Sequence, residues 1–275
     1  MSSARAPRGR FRRTRSLVSV LAALVLAACS TTAASGPAHA AARSAAPAVA
    51  IAPLPAPRPI STTAAAIRSC GWSSKNTKVH LTFDDSGSTT QVNAILDYLK
   101  AQNIRATFFP IGDWSRTTTG KALVKRMLAE GHLVGNHTKT HMSLTSGNLD
   151  TLAFRNKVRA EIAGGVKGNV KAPLLRPPYG NGAFDARIKK IATAAGYQLC
   201  YWDKDSRDWS STITTDQIVS RVMNGKADGP VAARERALRQ GDVVLFHMHG
   251  RHTLAALKKI VPKVRAKGWN FDRRT

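Results

Sequence analysis

Val79-His80-Leu81-Thr82-Phe83-Asp84-Asp85 reads as a short strand, apolar in its main part, that ends in two adjacent carboxylates. From there onward strand-like and helix-like stretches alternate. Thr89–Gln102 places Val92, Ile95, Leu96 and Leu99 on one helical face. Ala106–Ile111 reads as a second strand, Lys121–Glu130 as a helix and His132–Gly135 as a short strand. Further helices are expected over Leu149–Ala163, Asp185–Ala195, Thr215–Met223 and Leu254–Ala266, with strands at Leu174–Leu175, Gln198–Trp202 and Asp242–Phe246. Such alternation argues for an α/β fold, a parallel sheet with helices outside it. Asp84, Asp85, His137, Arg176, Asp208 and His247 all fall just past a strand, where β/α barrels build their sites. Periodicity alone leaves a barrel and an open doubly wound sheet both standing.

Asn136-His137-Thr138-Lys139-Thr140-His141 supplies two imidazoles four positions apart, a spacing that one helical turn brings onto one face. One carboxylate and two imidazoles make a three-ligand set for a divalent cation, with a coordination position left for water or substrate. The remaining carboxylate is then free to act as a base. This is the inventory of a metal hydrolase. The plain alternative is a pair of partly buried structural histidines.

Three more segments sharpen the reading: Arg176-Pro177-Pro178-Tyr179-Gly180, Asp205-Ser206-Arg207-Asp208-Trp209 and Leu245-Phe246-His247. With the two above, they resemble the five motifs of the polysaccharide deacetylases, the NodB-homology or carbohydrate esterase family 4 enzymes. The resemblance covers roughly Lys78 to Phe271. An Asp pair or an HxxxH alone occurs often by chance; five motifs together make chance improbable.

The resemblance implies a single domain with a distorted, incomplete (β/α) barrel. It makes Asp85, His137 and His141 the metal ligands, a set that suits Zn²⁺ and that Co²⁺ or Mn²⁺ would also fit. Asp84 would be the general base, with Arg176 as the partner that favours its ionised form and fixes its orientation. Tyr179 would offer its backbone N–H to the oxyanion. His247 would be the general acid that protonates the leaving amine, and Asp208 would hold that imidazole cationic. Leu245 would line a pocket for the acetyl methyl, and Trp202 and Trp209 would wall the sugar groove, ordinary core packing being their alternative.

Some residues depart from the family pattern. Ser86-Gly87-Ser88 follows the Asp pair where Gly-Pro is usual, and Met248 follows His247 where an aspartate is common. His249 and His252 lie close by and are read as non-catalytic, while His80 and His132 are read as structural.

Residues 1–16 carry six arginines and no acid, followed by an apolar run from Leu17 to Ala28. The run is short for a bilayer span and suits a signal-peptide core. Leu26-Ala27-Ala28-Cys29 resembles a bacterial lipobox, so residues 1–29 are expected to direct export and lipid anchoring at Cys29; Ala38-His39-Ala40 offers ordinary cleavage and secretion instead. Residues 30–69, rich in Ala, Pro, Ser and Thr, read as a disordered tether. Residues 70–275 form the catalytic domain, large enough for one core. That domain holds 33 basic and all 16 acidic residues, a net +17. Such a charge favours polyanions. Export and the lack of any helix-turn-helix, zinc-finger or RNA-binding signature argue against nucleic acid. Anionic wall polymers or an acidic membrane surface are the expected partners, and the protein is read as a monomer. Cys70 and Cys200 are the thiols available to pair in an oxidising compartment, and spacing leaves that pairing open.

The leading function is therefore an exported de-N-acetylase of an N-acetylglucosamine polymer, peptidoglycan first and chitin-like glycans second. An acetylxylan O-deacetylase shares the same tetrahedral chemistry. A wall-glycan-binding protein with a dead site is the reading from another class, and the intact residue set argues against it.

Overall fold

The computed structural model of the chain describes Cys70 and residues 77–168, 173–225 and 236–272. The signal-peptide and tether expectations for residues 1–69 fall outside the described residues. Among those described, no helix is long and apolar enough to cross a membrane.

The elements run β1 (Lys78–Asp85), α1 (Thr89–Ala101), β2 (Thr107–Pro110), α2 (Gly112–Arg116), α3 (Thr118–Ala129), β3 (Leu133–Val134), α4 (Leu152–Ala163) and β4 (Leu174–Leu175). After a one-turn 3₁₀ helix at Pro178–Gly180 come α5 (Ala186–Ala194), β5 (Gln198–Leu199), β6 (Lys204–Asp205), α6 (Thr215–Asn224), β7 (Val243–His247), α7 (Thr253–Ala266) and β8 (Asn270–Phe271). Helix starts follow from short polar side chains that accept otherwise orphaned backbone N–H groups. Ser88, Thr117, Thr151 and Asp185 cap α1, α3, α4 and α5 in this way, and Thr214 forms a capping box with Gln217 at α6.

All strand pairs are parallel. The main sheet runs β3-β2-β1-β7-β6, with β8 against the start of β1, and β4 pairs with β5 in a second sheet. An isolated bridge from Asn136 to Leu175 links the end of β3 to β4. The order β6-β7-β1-β2-β3-β4-β5 thus curls round without pairing β5 to β6, an incomplete barrel as the sequence resemblance implied. The strand expected over Gln198–Trp202 is shorter than that. It stops at Leu199, and pairing resumes at Lys204 against β7, because this piece of chain crosses from one sheet to the other. Cys200, at that crossing, is disulfide-bonded to Cys70, which answers the question the sequence left open.

Alternation along the strands sorts side chains into two layers. Val79, Leu81 and Phe83 of β1 join Phe108, Val244 and Phe246 in a core beneath α1, α3, α6 and α7. Phe83 stacks on Phe108 and Phe246 with ring centroids 5.0 and 5.7 Å apart. Burying one such ring contributes about 1.5–3 kcal/mol. The opposite face of β2 and β7 puts Phe109, Val243 and Leu245 into a second core with β4, β5, α4 and α5. From β1 that inner side receives polar groups, among them Thr82 and Asp84, both buried.

Candidate metal centre and active site

His137 and His141 do not share a helical turn. They lie on a loop in which Thr138 and His141 take φ values of 65° and 67°, so the helical reading of their spacing is overturned. Left-handed backbone is costly away from glycine, and tertiary hydrogen bonds hold it here. Asn136, fully buried, accepts the Thr138 N–H on Oδ1 (2.7 Å) and donates from Nδ2 to the Ile162 carbonyl (2.8 Å). The N–H groups of Gly112 and Asp113 donate to the carbonyls of Thr138 and Lys139, both at 2.8 Å. From α4, the Glu161 carboxylate accepts the N–H and hydroxyl of Thr140. Gly165 permits the close approach, since a Cβ there would meet Asn136 Oδ1 at 1.9 Å.

This loop aims both imidazoles at the end of β1. One Asp85 oxygen lies 3.1 Å from His137 Nε2 and 3.0 Å from His141 Nε2, and the three donor atoms lie within 4.8 Å of one another. His137 Nδ1 sits 2.8 Å from the Arg176 carbonyl, which only accepts, so Nδ1 carries a proton. The neutral ring then turns an Nε2 lone pair toward the Asp85 oxygen, itself buried and without a hydrogen-bond donor. Lone pairs converging in this way fit a cation between them, and the O,N,N set suits a divalent metal. Burial disfavours the charge on Asp85, but where the two imidazoles carry Nε2 protons their hydrogen bonds outweigh it and hold the carboxyl well below the usual range; a cation would take the place of those protons.

Asp84 is oriented separately. Its Oδ1 accepts from Arg176 Nη1 at 2.8 Å. Arg176 is fully buried, and it also donates to Thr82 Oγ1, the Tyr201 carbonyl and Cys200 Sγ at 2.7, 2.8 and 3.3 Å. Its guanidinium carbon packs 4.2 Å from the centroid of the Phe109 ring. Burial pushes Arg176 below the ordinary guanidinium value while Asp84 works the other way. The guanidinium remains a cation.

In strand register His247 on β7 is the neighbour of Asp84 on β1. Its Nδ1 lies 2.7 Å from Asp208 Oδ1, and its backbone N–H donates to Asp208 Oδ2 at 2.9 Å. The hydroxyls of Ser206 and Thr253 donate to the same carboxylate. Burial works against the imidazolium, yet the bond to Asp208 and the charges of Asp208, Asp84 and Asp85 push His247 up to about 9.

A cavity of about 370 Å³ joins these groups, lined by Asp84, Asp85, His137, His141, Tyr179, Trp202, Asp205, Trp209, Leu245 and His247. Tyr179 has a left-handed backbone (φ 59°), and its ring lies 4.6 Å from that of His141. Trp202 is buried and stacks on Tyr201 at 3.9 Å, so it serves core and cavity together, whereas Trp209 is exposed. His249 comes nearer than the sequence suggested, Nδ1 standing 3.6 Å from Asp85 Oδ2. His252 sits instead beside Thr215, 3.3 Å from its hydroxyl. Sequence reading missed Asp205 as a lining residue, Thr82 as an acceptor for Arg176, and Thr253 as a donor to Asp208. Asp205 lay inside a quoted motif; nothing local marked the threonines.

The family model for polysaccharide deacetylases matches residues 73–200. A peptidoglycan-N-acetylglucosamine deacetylase of Bacillus cereus is 35% identical over 202 residues, covering 70% of this chain and 84% of that protein. A chitooligosaccharide deacetylase of Rhizobium leguminosarum is 30% identical, covering 72% and 90%. Among solved structures, a peptidoglycan N-acetylglucosamine deacetylase in complex with 4-naphthalen-1-yl-N-oxidanyl-benzamide superposes with a TM-score of 0.57 at 27% identity. That match covers 72% of this chain and 86% of the solved one.

Proposed function

The chain belongs to the polysaccharide deacetylase family, and from that premise we propose that it is an exported, divalent-metal-dependent hydrolase of the N-acetyl groups of N-acetylglucosamine residues, with peptidoglycan as first substrate and chitin-like glycans as second. One observation carries the reading: the donor cluster Asp85, His137 and His141 opens into the same cavity as two separately held proton-transfer groups, Asp84 on Arg176 and His247 on Asp208. When bound by that cluster, a cation such as Zn²⁺ supplies Lewis acidity toward water and the amide carbonyl.

The chain's own residues perform the rest. Asp84 takes the proton of the attacking water, and Arg176 keeps the carboxylate turned into the cavity. The Tyr179 backbone N–H donates to the oxyanion as the carbonyl becomes tetrahedral. His247, protonated through its bond to Asp208, gives a proton from Nε2 to the departing amine, which leaves poorly without one. Leu245, nearly fully buried, offers an apolar wall to the acetyl methyl, and Trp202 and Trp209 flank the sugar. Residues 1–29 would direct export and lipid anchoring at Cys29, and 30–69 would tether the domain within reach of the wall. The +17 charge of residues 70–275 favours anionic wall polymers and acidic membrane surfaces.

The test is acetate release from peptidoglycan, chitooligosaccharides and acetylxylan, with and without a chelator. Chelator-sensitive release from the first two is expected. Release that persists after thorough chelation and metal analysis would overturn the metal-hydrolase reading, and release confined to acetylxylan would move the assignment to ester hydrolysis.

A further inference from the structure

Asp84, His137 and His247 are each fixed from behind, by Arg176 Nη1, the Arg176 carbonyl and Asp208. Asp85 stands differently. It ends β1 with a left-handed backbone (φ 77°), and its side chain faces three imidazoles. His137 and His141 meet Oδ1 at 3.1 and 3.0 Å, while His249 Nδ1 stands 3.6 Å from Oδ2. His249 does not join the cluster of donor atoms that lie within 4.8 Å of one another, so it meets the carboxylate without converging on the same point.

The backbone that carries His249 is fixed to the end of β1. Asp84 and His247 are register neighbours, and the next N–H along, that of Met248, donates to the Asp84 carbonyl at 3.0 Å. The Met248 side chain is fully buried in the outer core. Gly87 lets the loop after β1 close on this turn, since a Cβ there would meet the Met248 carbonyl at 2.8 Å. Ser88 Oγ donates to Gln91 Oε1 at 2.9 Å, which leaves the amide Nε2 to donate to the His249 carbonyl at 3.1 Å. The two departures from the family pattern, Ser86-Gly87-Ser88 and Met248, thus meet in space at Gly87. The His249 ring is 42% exposed and lies edge-on to His247, with centroids 5.6 Å apart. It has room to turn, so a separation of 3.6 Å, long for a hydrogen bond, closes with a small rotation.

We propose that His249 is a positioning residue of the metal centre: its Nδ1–H donates to Asp85 Oδ2 and so keeps Oδ1 turned to the cation held with His137 and His141. The proposal rests on the metal-centre reading and adds a residue to it. A carboxylate bound through one oxygen keeps its rotation unless the other is held, and such outer partners contribute about 10–100-fold in metal affinity. His249 supplies its donor from the turn that follows β7, the strand that ends in His247. Ligand and acid are thereby set by one turn.

The experiment measures the Zn²⁺ affinity of the full-length protein by competition with a chromogenic chelator. His249→Ala should bind about tenfold more weakly than the wild type. His249→Asn places an amide N–H near the position of Nδ1 and should recover most of that loss. His249→Leu fills the space without a donor and should recover none. The metal-free variants should unfold at the wild-type temperature, since the ring is exposed. Gln91→Ala should weaken binding less than His249→Ala and add nothing to it. Rescue by leucine in place of asparagine overturns the positioning role. A Co²⁺ absorption spectrum showing one nitrogen ligand fewer in both His249→Ala and His249→Asn makes His249 a ligand and overturns it too. Tight wild-type binding that His249→Ala leaves unchanged defeats the proposal alone, whereas a wild type that binds no Zn²⁺ defeats the metal centre and the proposal with it.

Discussion

The two faces of β1 are built on opposite terms. Outward, Val79, Leu81 and Phe83 meet a broad apolar core in which each ring or aliphatic group has several interchangeable neighbours. Inward, Thr82 and Asp84 meet Arg176, whose hydrogen bonds tie β1 to the Tyr201 carbonyl and the disulfide sulfur of Cys200. The outer face stabilises through area, which is non-directional and tolerant of detail. The inner face depends on a few directed bonds around one buried cation, where loss of a single partner leaves a costly orphan. A strand built this way can hold reactive groups in fixed orientation at its end because its other face supplies the stability.

The comparison is most exposed at Asp84. Asp84→Asn should lower turnover by roughly 10²–10⁴-fold. Metal content should be retained, since Asp85 and the two imidazoles are untouched. Stability should fall by about 1–3 kcal/mol, less than for a bare buried charge, because the amide oxygen still accepts from Arg176. Metal analysis, acetate release and denaturant unfolding check the three parts. If this variant lost the metal and Asp85→Asn kept it, the roles of the two carboxylates would have to be exchanged.

On the other face, Phe83→Ala should cost about 3–5 kcal/mol of stability, the range for emptying a buried aromatic site. The protein that remains folded should keep its pH profile and most of its turnover. A large fall in kcat at full folding would show that the outer core also positions the site.

The smallest effects concern pH, and two histidines give opposite signs. His247 binds its proton more tightly folded, at about 9, than its ordinary 6.5. Its contribution to stability is complete below 6.5 and is lost as pH rises through about 9. The catalytic limb that falls with rising pH should lie between these values in the metal-loaded protein, because the cation offsets the charges of Asp84 and Asp85. Asp208→Asn should move that limb to lower pH in a pH–rate profile; an unmoved limb would assign the acid to another residue. Buried His80 is pushed down to about 4 by desolvation, which outweighs its bond to the Asp272 carbonyl. Stability should therefore also fall below pH 6.5, and His80→Gln should flatten the part of that decline above about 4.

Much of this was legible beforehand, for a physical reason. Reactive side chains placed at strand ends leave an apolar run followed by a polar cluster, and that is how Asp84, Asp85 and His247 stand in the sequence. The ends of the expected helices fell within three residues of those observed, since apolar periodicity marks their extent, whereas the short α2 was not anticipated. The loop carrying His137 and His141 was not legible. Its conformation is imposed by Glu161, Gly165 and the N–H groups of α2, all distant in sequence from the pair they shape. The break between β5 and β6 was hidden for the same reason: nothing in Gln198–Asp205 announces that its two ends pair with different sheets.

The Cys70–Cys200 bridge has a mechanical consequence. A pull transmitted through residues 1–69 reaches the domain at Cys70, and the covalent link passes it to the chain between β5 and β6. Tension from that end is thus shunted past β1. Without the bridge the same pull would bear first on the start of β1 and unzip, pair by pair, the strand that ends in Asp84 and Asp85. Under the proposed anchoring at Cys29, the bridge would work as strain relief does on a cable and keep the reactive groups in register.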